Sequence, residues 1–179
     1  MKNLIALISV FSIALLFFLG CSDSTKSGPA VSLAAVDPAP FLLASEPDEV
    51  VGVIAARDSA ENEEPVVVVG RIGGGLNPWV ESLAAFQIVD NSLIACSDEK
   101  AEGEACSCPT PWDYCCHTDK LPNAMALVRF EDSQGKVVTE DARSLFGIKE
   151  LQSVVVKGVA KRDDAGNLTI VANGMFVRD

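Results

Sequence analysis

Five of the chain's six cysteines, its only histidine, its only tyrosine and one of its two tryptophans fall within 22 consecutive positions, Cys96 to His117. The run reads Cys96, nine residues, then Cys106-Ser107-Cys108-Pro109-Thr110-Pro111-Trp112-Asp113-Tyr114-Cys115-Cys116-His117. Use of cysteine as an ordinary core residue does not concentrate it this way, so something crosslinks the segment. Disulfides suit such a loop in an oxidising compartment. Two bridges among five thiols leave one over. The neighbours Cys115 and Cys116, like Cys106 and Cys108, make strained bridges with each other, so bonds from pair to pair or to Cys96 are easier, and the connectivity stays open. The second chemistry is a metal centre. Cys106, Cys108, Cys115 and Cys116 beside His117 suit tetrahedral zinc, and Cys-x-Cys or Cys-Cys pairs also suit Cu(I). The odd thiol and the adjacent histidine favour a metal, while the lack of two Cys-x2-Cys knuckles and an oxidising setting weigh against it. Redox-active thiols come third. The compartment argued below places disulfides narrowly first.

The rest of the chain adds no catalytic constellation. There is no Ser-His-Asp order, no helix-borne His-x3-His and no carboxylate pair that spacing would bury together, so the expectation is a protein that is not an enzyme. Gly73-Gly74-Gly75-Leu76-Asn77-Pro78 lacks the Lys-Ser/Thr of a phosphate loop and the spacing of a dinucleotide fingerprint. Trp112 and Tyr114 are expected to pack the cysteine-rich insert onto its support, since large aromatics anchor loops that have no regular structure.

The elements that must hold this insert read as β-strands. Ser45-Glu46-Pro47-Asp48-Glu49 carries helix-start signals with Val50, Val53 and Ile54 at helical spacing behind it, predicting a leading helix over about 48–59. Val66-Val67-Val68-Val69-Gly70-Arg71-Ile72-Gly73 is a β-branched run bounded by turn residues and predicts the first strand. Ala84–Asp90, Ala124–Phe130, Ser153–Lys161 and Leu168–Val177 predict four more. A short helical or turn segment is expected at Leu145–Leu151, and the insert, about 91–123, separates strands two and three. Gly70 and Gly158, each after a valine run, are expected at bulges that bend their strands around a small barrel.

That order, with the short helix between strands three and four, resembles the OB-fold, a five-stranded partly open Greek-key barrel. The resemblance covers about residues 48–179 and implies an all-β domain. The Cys-Pro-Thr-Pro-Trp-Asp-Tyr-Cys-Cys stretch resembles one found in bacterial OB-fold lipoproteins, a likeness that brings no activity with it. OB-folds that hold single strands do so with aromatic platforms on strands two and three beside a basic groove. Phe86 and Phe130 occupy such strands but are expected in the core, and Lys157, Lys161 and Arg162, with Arg71 and Arg129, form only a thin basic set.

Charge and address complete the reading. The 179 residues carry 14 Lys+Arg against 25 Asp+Glu, a formal −11, which opposes binding to a phosphate backbone. Lys2, the apolar run Leu4–Leu19 and Gly20-Cys21 have the layout of an export signal. The small residue before the cysteine resembles a bacterial lipoprotein signal, implying that Cys21 is diacylated and becomes the mature N-terminus. Loss of Lys2 with the signal leaves 13 basic against 25 acidic residues, a formal −12. Ser22 after the lipidated cysteine resembles outer-membrane sorting where two membranes exist. Residues 21–47, rich in Ser, Ala and Pro, read as a flexible tether. The sequence therefore describes a membrane-tethered extracytoplasmic binding module with a disulfide-stapled loop, its partner a protein or envelope component. A zinc or copper lipoprotein is the first alternative and an oligonucleotide or oligosaccharide binder the second.

Overall fold

Branched side chains at Val66 to Val69 favour extended backbone, and every second residue from Val68 to Ile72 faces inward. The computed structural model describes residues 36–98 and 108–178; Cys21 with the signal, most of the tether, and Cys106 lie outside them. Six strands form in the order β1 (Val51–Gly52), β2 (Pro65–Ile72), β3 (Ala85–Val89), β4 (Met125–Phe130), β5 (Ser153–Arg162) and β6 (Leu168–Val177). Helices α1 (Val53–Ser59), α2 (Leu121–Ala124) and α3 (Ala142–Phe146) are short. β2 pairs antiparallel with β3 and again with β5, β3 with β4, β4 runs parallel to β6, and β6 returns antiparallel to β5. The five longer strands thus close into a barrel, as expected of an all-β OB-like domain, and β1 adds a two-residue parallel rung to β2.

Its core is made of Val68, Ile72, Phe86, Ile88, Val128, Phe130, Val154, Val156, Ile170 and Met175, all without solvent exposure. Burying each such side chain contributes about 1.5–3 kcal/mol. Phe86 and Phe130 are therefore sealed inside, 6.4 Å apart, and offer no face on which a base could stack. Four of the five basic residues named above are engaged as well. Lys161 pairs with Glu63, Arg71 with Asp98 and Arg129 with Glu131, and Arg162 donates to carbonyls of Ala60, Ala56 and Arg57 at the end of α1.

Four local expectations change. The leading helix begins at Val53, because Val51–Gly52 join β2 instead and Glu49 adopts a positive φ of 58°. The short helix lies at Ala142–Phe146: Asp141 caps it through the Arg143 N–H and Gly147 ends it in the left-handed conformation. A bulge does fall at Gly158, where the register slips against β6, but none marks Gly70, whose pairing with β5 is continuous. Gly70 is instead a close approach, since a β-carbon there would lie 2.9 Å from the Val89 carbonyl. Finally, part of the segment read as tether packs on the barrel. Phe41 sets its ring 5.3 Å from that of Phe130, and Leu43 donates to the Met175 carbonyl.

Candidate metal centre

The insert leaves β3 at Asp90 and returns through α2 into β4, and it carries a small apolar cluster of its own. Val89, Leu93, Ala95, Tyr114, Leu121 and Ala124 pack together, with Ile54, Met125 and Leu151 against them. Tyr114 is its centre, fully buried and backed against Gly73. The expected packing role of this residue is what the structure has. Trp112 closes the other side, its indole N–H donating to the Leu76 carbonyl at 3.2 Å while its own carbonyl accepts from Gly74 at 2.8 Å. The glycine-rich loop is thus the bed on which the insert lies.

Local turns aim the sulfurs. Pro111–Asp113 and Cys115–His117 each form one 3-10 turn, joined by Tyr114 at φ 54° and ψ 38°. A left-handed residue with a side chain costs about 1–2 kcal/mol, offset here by burial of the ring. The reversal turns Cys115 back over Asp113, whose Oδ1 accepts the Cys115 N–H at 2.9 Å and whose Oδ2 accepts the Thr110 hydroxyl at 2.9 Å. On the outgoing arm, Cys96 is held between Ala95 and Asp98 by the Asp98 N–H to Ala95 carbonyl bond of 2.8 Å, and Asp98 is anchored by Arg71 of β2.

These turns bring Cys96 Sγ to 3.4 Å from Cys115 Sγ and 3.5 Å from Cys116 Sγ, and Cys108 Sγ to 3.7 Å from Cys115 Sγ. Ligand atoms of Cys96, Cys108, Asp113 and Cys115 all lie within 4.8 Å of one another. A tetrahedral zinc with bonds of about 2.3 Å to sulfur places neighbouring sulfurs about 3.8 Å apart, close to the spacings seen. No two described sulfurs stand at the covalent distance of about 2.05 Å, and Cys96, Cys108, Cys115 and Cys116 are all thiols here. Cys96 is buried, Cys108 is half-buried, and Cys115 and Cys116 are exposed. Proton sharing with the Cys96 thiol first, then with Cys108, pushes the Cys115 thiol far above its ordinary value. Neighbouring thiolates repel, so the sulfurs ionise together only around a cation.

Of the residues singled out in the sequence, Cys96, Cys108 and Cys115 converge as expected. Cys116 touches the cluster through Cys96, and His117 lies half-buried in the same turn, outside the group that meets within 4.8 Å. Asp113 is the member of this group that sequence reasoning missed. It sits five residues after Cys108 and two before Cys115, a spacing that one tight turn folds onto a single point. The chain matches no known protein-family description and no curated protein.

Proposed function

We propose that this chain is a lipid-anchored protein of the bacterial cell envelope whose OB-like barrel presents a metal-binding insert, with Cys96, Cys108, Cys115 and Asp113 as ligands and zinc as the best-matched ion. The convergence of these four ligand atoms within 4.8 Å carries the reading. Three sulfurs and one carboxylate match the softness and coordination number of zinc. Lys2, the apolar run Leu4–Leu19 and Gly20-Cys21 support the envelope address. The module acts by holding the ion.

A disulfide staple is the second reading, supported by thiols close enough to be bridged with a small shift and by the expected oxidising compartment. One experiment separates them. The full chain, produced with its own signal and purified in detergent, is analysed for metals and for titratable thiols. About one equivalent of zinc per chain, removable by a chelator, with Cys96, Cys108 and Cys115 reactive only after its removal, supports the metal centre. Metal-free protein with those cysteines paired supports the staple. Labelled fatty acid should enter the chain and be lost with Cys21→Ala; labelling that survives the substitution overturns the anchor.

A further inference from the structure

We propose that Cys116 is an exchange ligand, a thiol outside the resting set through which the ion passes between this site and a thiol-bearing acceptor. The inference rests on the metal reading above. The sulfurs form a string: Cys108 lies 3.7 Å from Cys115, Cys115 lies 3.4 Å from Cys96, and Cys96 lies 3.5 Å from Cys116. Each step is within the span of about 3.8 Å that one thiolate-bound ion bridges. Cys96 and Cys115 therefore belong to two overlapping sets. Cys108 and Asp113 complete the first. Cys116, whose thiol lies 3.5 Å from that of Cys96, is the added ligand of the second.

Passing from the first set to the second makes the Cys116–metal bond and breaks the bonds to Cys108 and Asp113, while Cys96 and Cys115 keep hold. The Cys116 proton moves to the departing Cys108 thiolate. No electrons are transferred and the ion keeps its oxidation state. The incoming thiolate of the acceptor then displaces the remaining ligands in the same manner.

The burial gradient fits transfer better than a structural role. Structural zinc sites are closed by their protein ligands, whereas here Cys96 is 2% exposed at the base and Cys115 and Cys116 stand exposed at the rim. The acceptor's chemistry follows from the ligands and the charge. An ion held by three sulfurs is lost most readily to other sulfurs, and a chain of formal charge −11 repels a polycarboxylate competitor.

The test uses the full chain in detergent, loaded with one equivalent of zinc, or with cobalt as a spectroscopic reporter. A short peptide containing two cysteines serves as acceptor. Cys116→Ala should keep its equivalent of metal with unchanged affinity and pass it to the peptide about tenfold more slowly. Cys116→His, which restores a ligand, should recover the rate. An unchanged transfer rate in Cys116→Ala overturns the proposal, and so does loss of the bound ion, which makes Cys116 a resting ligand. Wild-type protein that binds neither metal overturns the metal reading itself, an outcome distinct from both.

Discussion

The backbone of Gly73 and the carbonyl of Trp112 approach so closely that a β-carbon on the glycine would lie 2.6 Å from that oxygen, and 2.9 Å from the Tyr114 ring. Neither obstacle is a flexible side-chain end, so Gly73→Ala must push the insert off the barrel. The expected cost is about 1–3 kcal/mol, read by urea unfolding, together with weaker zinc binding by titration. Gly75→Ala is the control, because a β-carbon there meets nothing nearer than the Gln87 amide oxygen at 3.4 Å. Equal behaviour of the two variants would refute the idea that the glycine loop positions the sulfurs.

Tyr114 makes a sharper case. Its hydroxyl is buried with no hydrogen-bond partner among the described residues, and burial raises its pKa. An unsatisfied buried donor costs about 1–3 kcal/mol, so Tyr114→Phe should leave stability unchanged or raise it. Tyr114→Ala removes the centre of the insert's apolar cluster and should cost about 3–5 kcal/mol. Thermal unfolding of the two variants checks the pair, and a destabilised Tyr114→Phe would show that the hydroxyl is bonded.

Asp90 caps α1 from 36 residues away. Its Oδ2 accepts the Ile54 N–H at 2.8 Å and its Oδ1 the Ser92 N–H at 2.9 Å, while Gly52 leaves room for it, a β-carbon there falling 2.6 Å from Oδ2. Burial pushes the carboxyl pKa up, but the Ile54 N–H, the Ser92 hydroxyl and N–H, and the Val53 N–H outweigh it, and the net shift is downward. A lowered folded pKa means the stabilisation is present above the unfolded value and is lost as pH falls through the folded one. Asp90→Ala should therefore cost about 0.5–2 kcal/mol near neutral pH. The gap to wild type should narrow in acid, and a gap independent of pH would contradict the assignment.

Oxidation supplies a fourth expectation. Cys115 lies 3.4 Å from Cys96 and 3.7 Å from Cys108, and closing either pair to about 2.05 Å makes a disulfide. With a small-molecule disulfide as oxidant, two metal-bound thiolates give up two electrons, one sulfur–sulfur bond forms, and the oxidant's bond opens to two thiolates that take protons from solvent. The ion loses two ligands at once. Zinc release, followed with a chromophoric chelator, should track the loss of two titratable thiols. Metal that stays bound after that loss would place the ligands elsewhere.

The barrel was legible because valine runs and alternating strands state their period directly, and because Gly158 marks the bulge. The short helix was expected a few residues too late, because the apolar residues from Leu145 onward outweighed the cap signals at Asp141 and Gly147. The start of α1 was not, since its cap comes from Asp90, a residue no local window contains. Within the insert, the sequence showed which residues carry chemistry but not which of them meet. That selection depends on one left-handed tyrosine and on a carboxylate that reads, in sequence, as an ordinary turn residue.

Cys96 sits on the arm leaving β3, and Cys108, Asp113 and Cys115 sit on the arm returning to β4. On the proposed metal reading, an ion shared by the two arms would be a clasp on a loop whose ends, Cys96 and Cys115, are 19 positions apart. Closing a loop of about 15 residues is worth about 3 kcal/mol in chain entropy, and the gain belongs to the insert alone. In hydrogen-exchange terms, the insert and the barrel become separate opening units. Amides of Leu93, Asp98, Cys115 and His117 should then exchange slowly only with metal bound, while those of Val68, Val156 and Ile170 should keep one rate throughout.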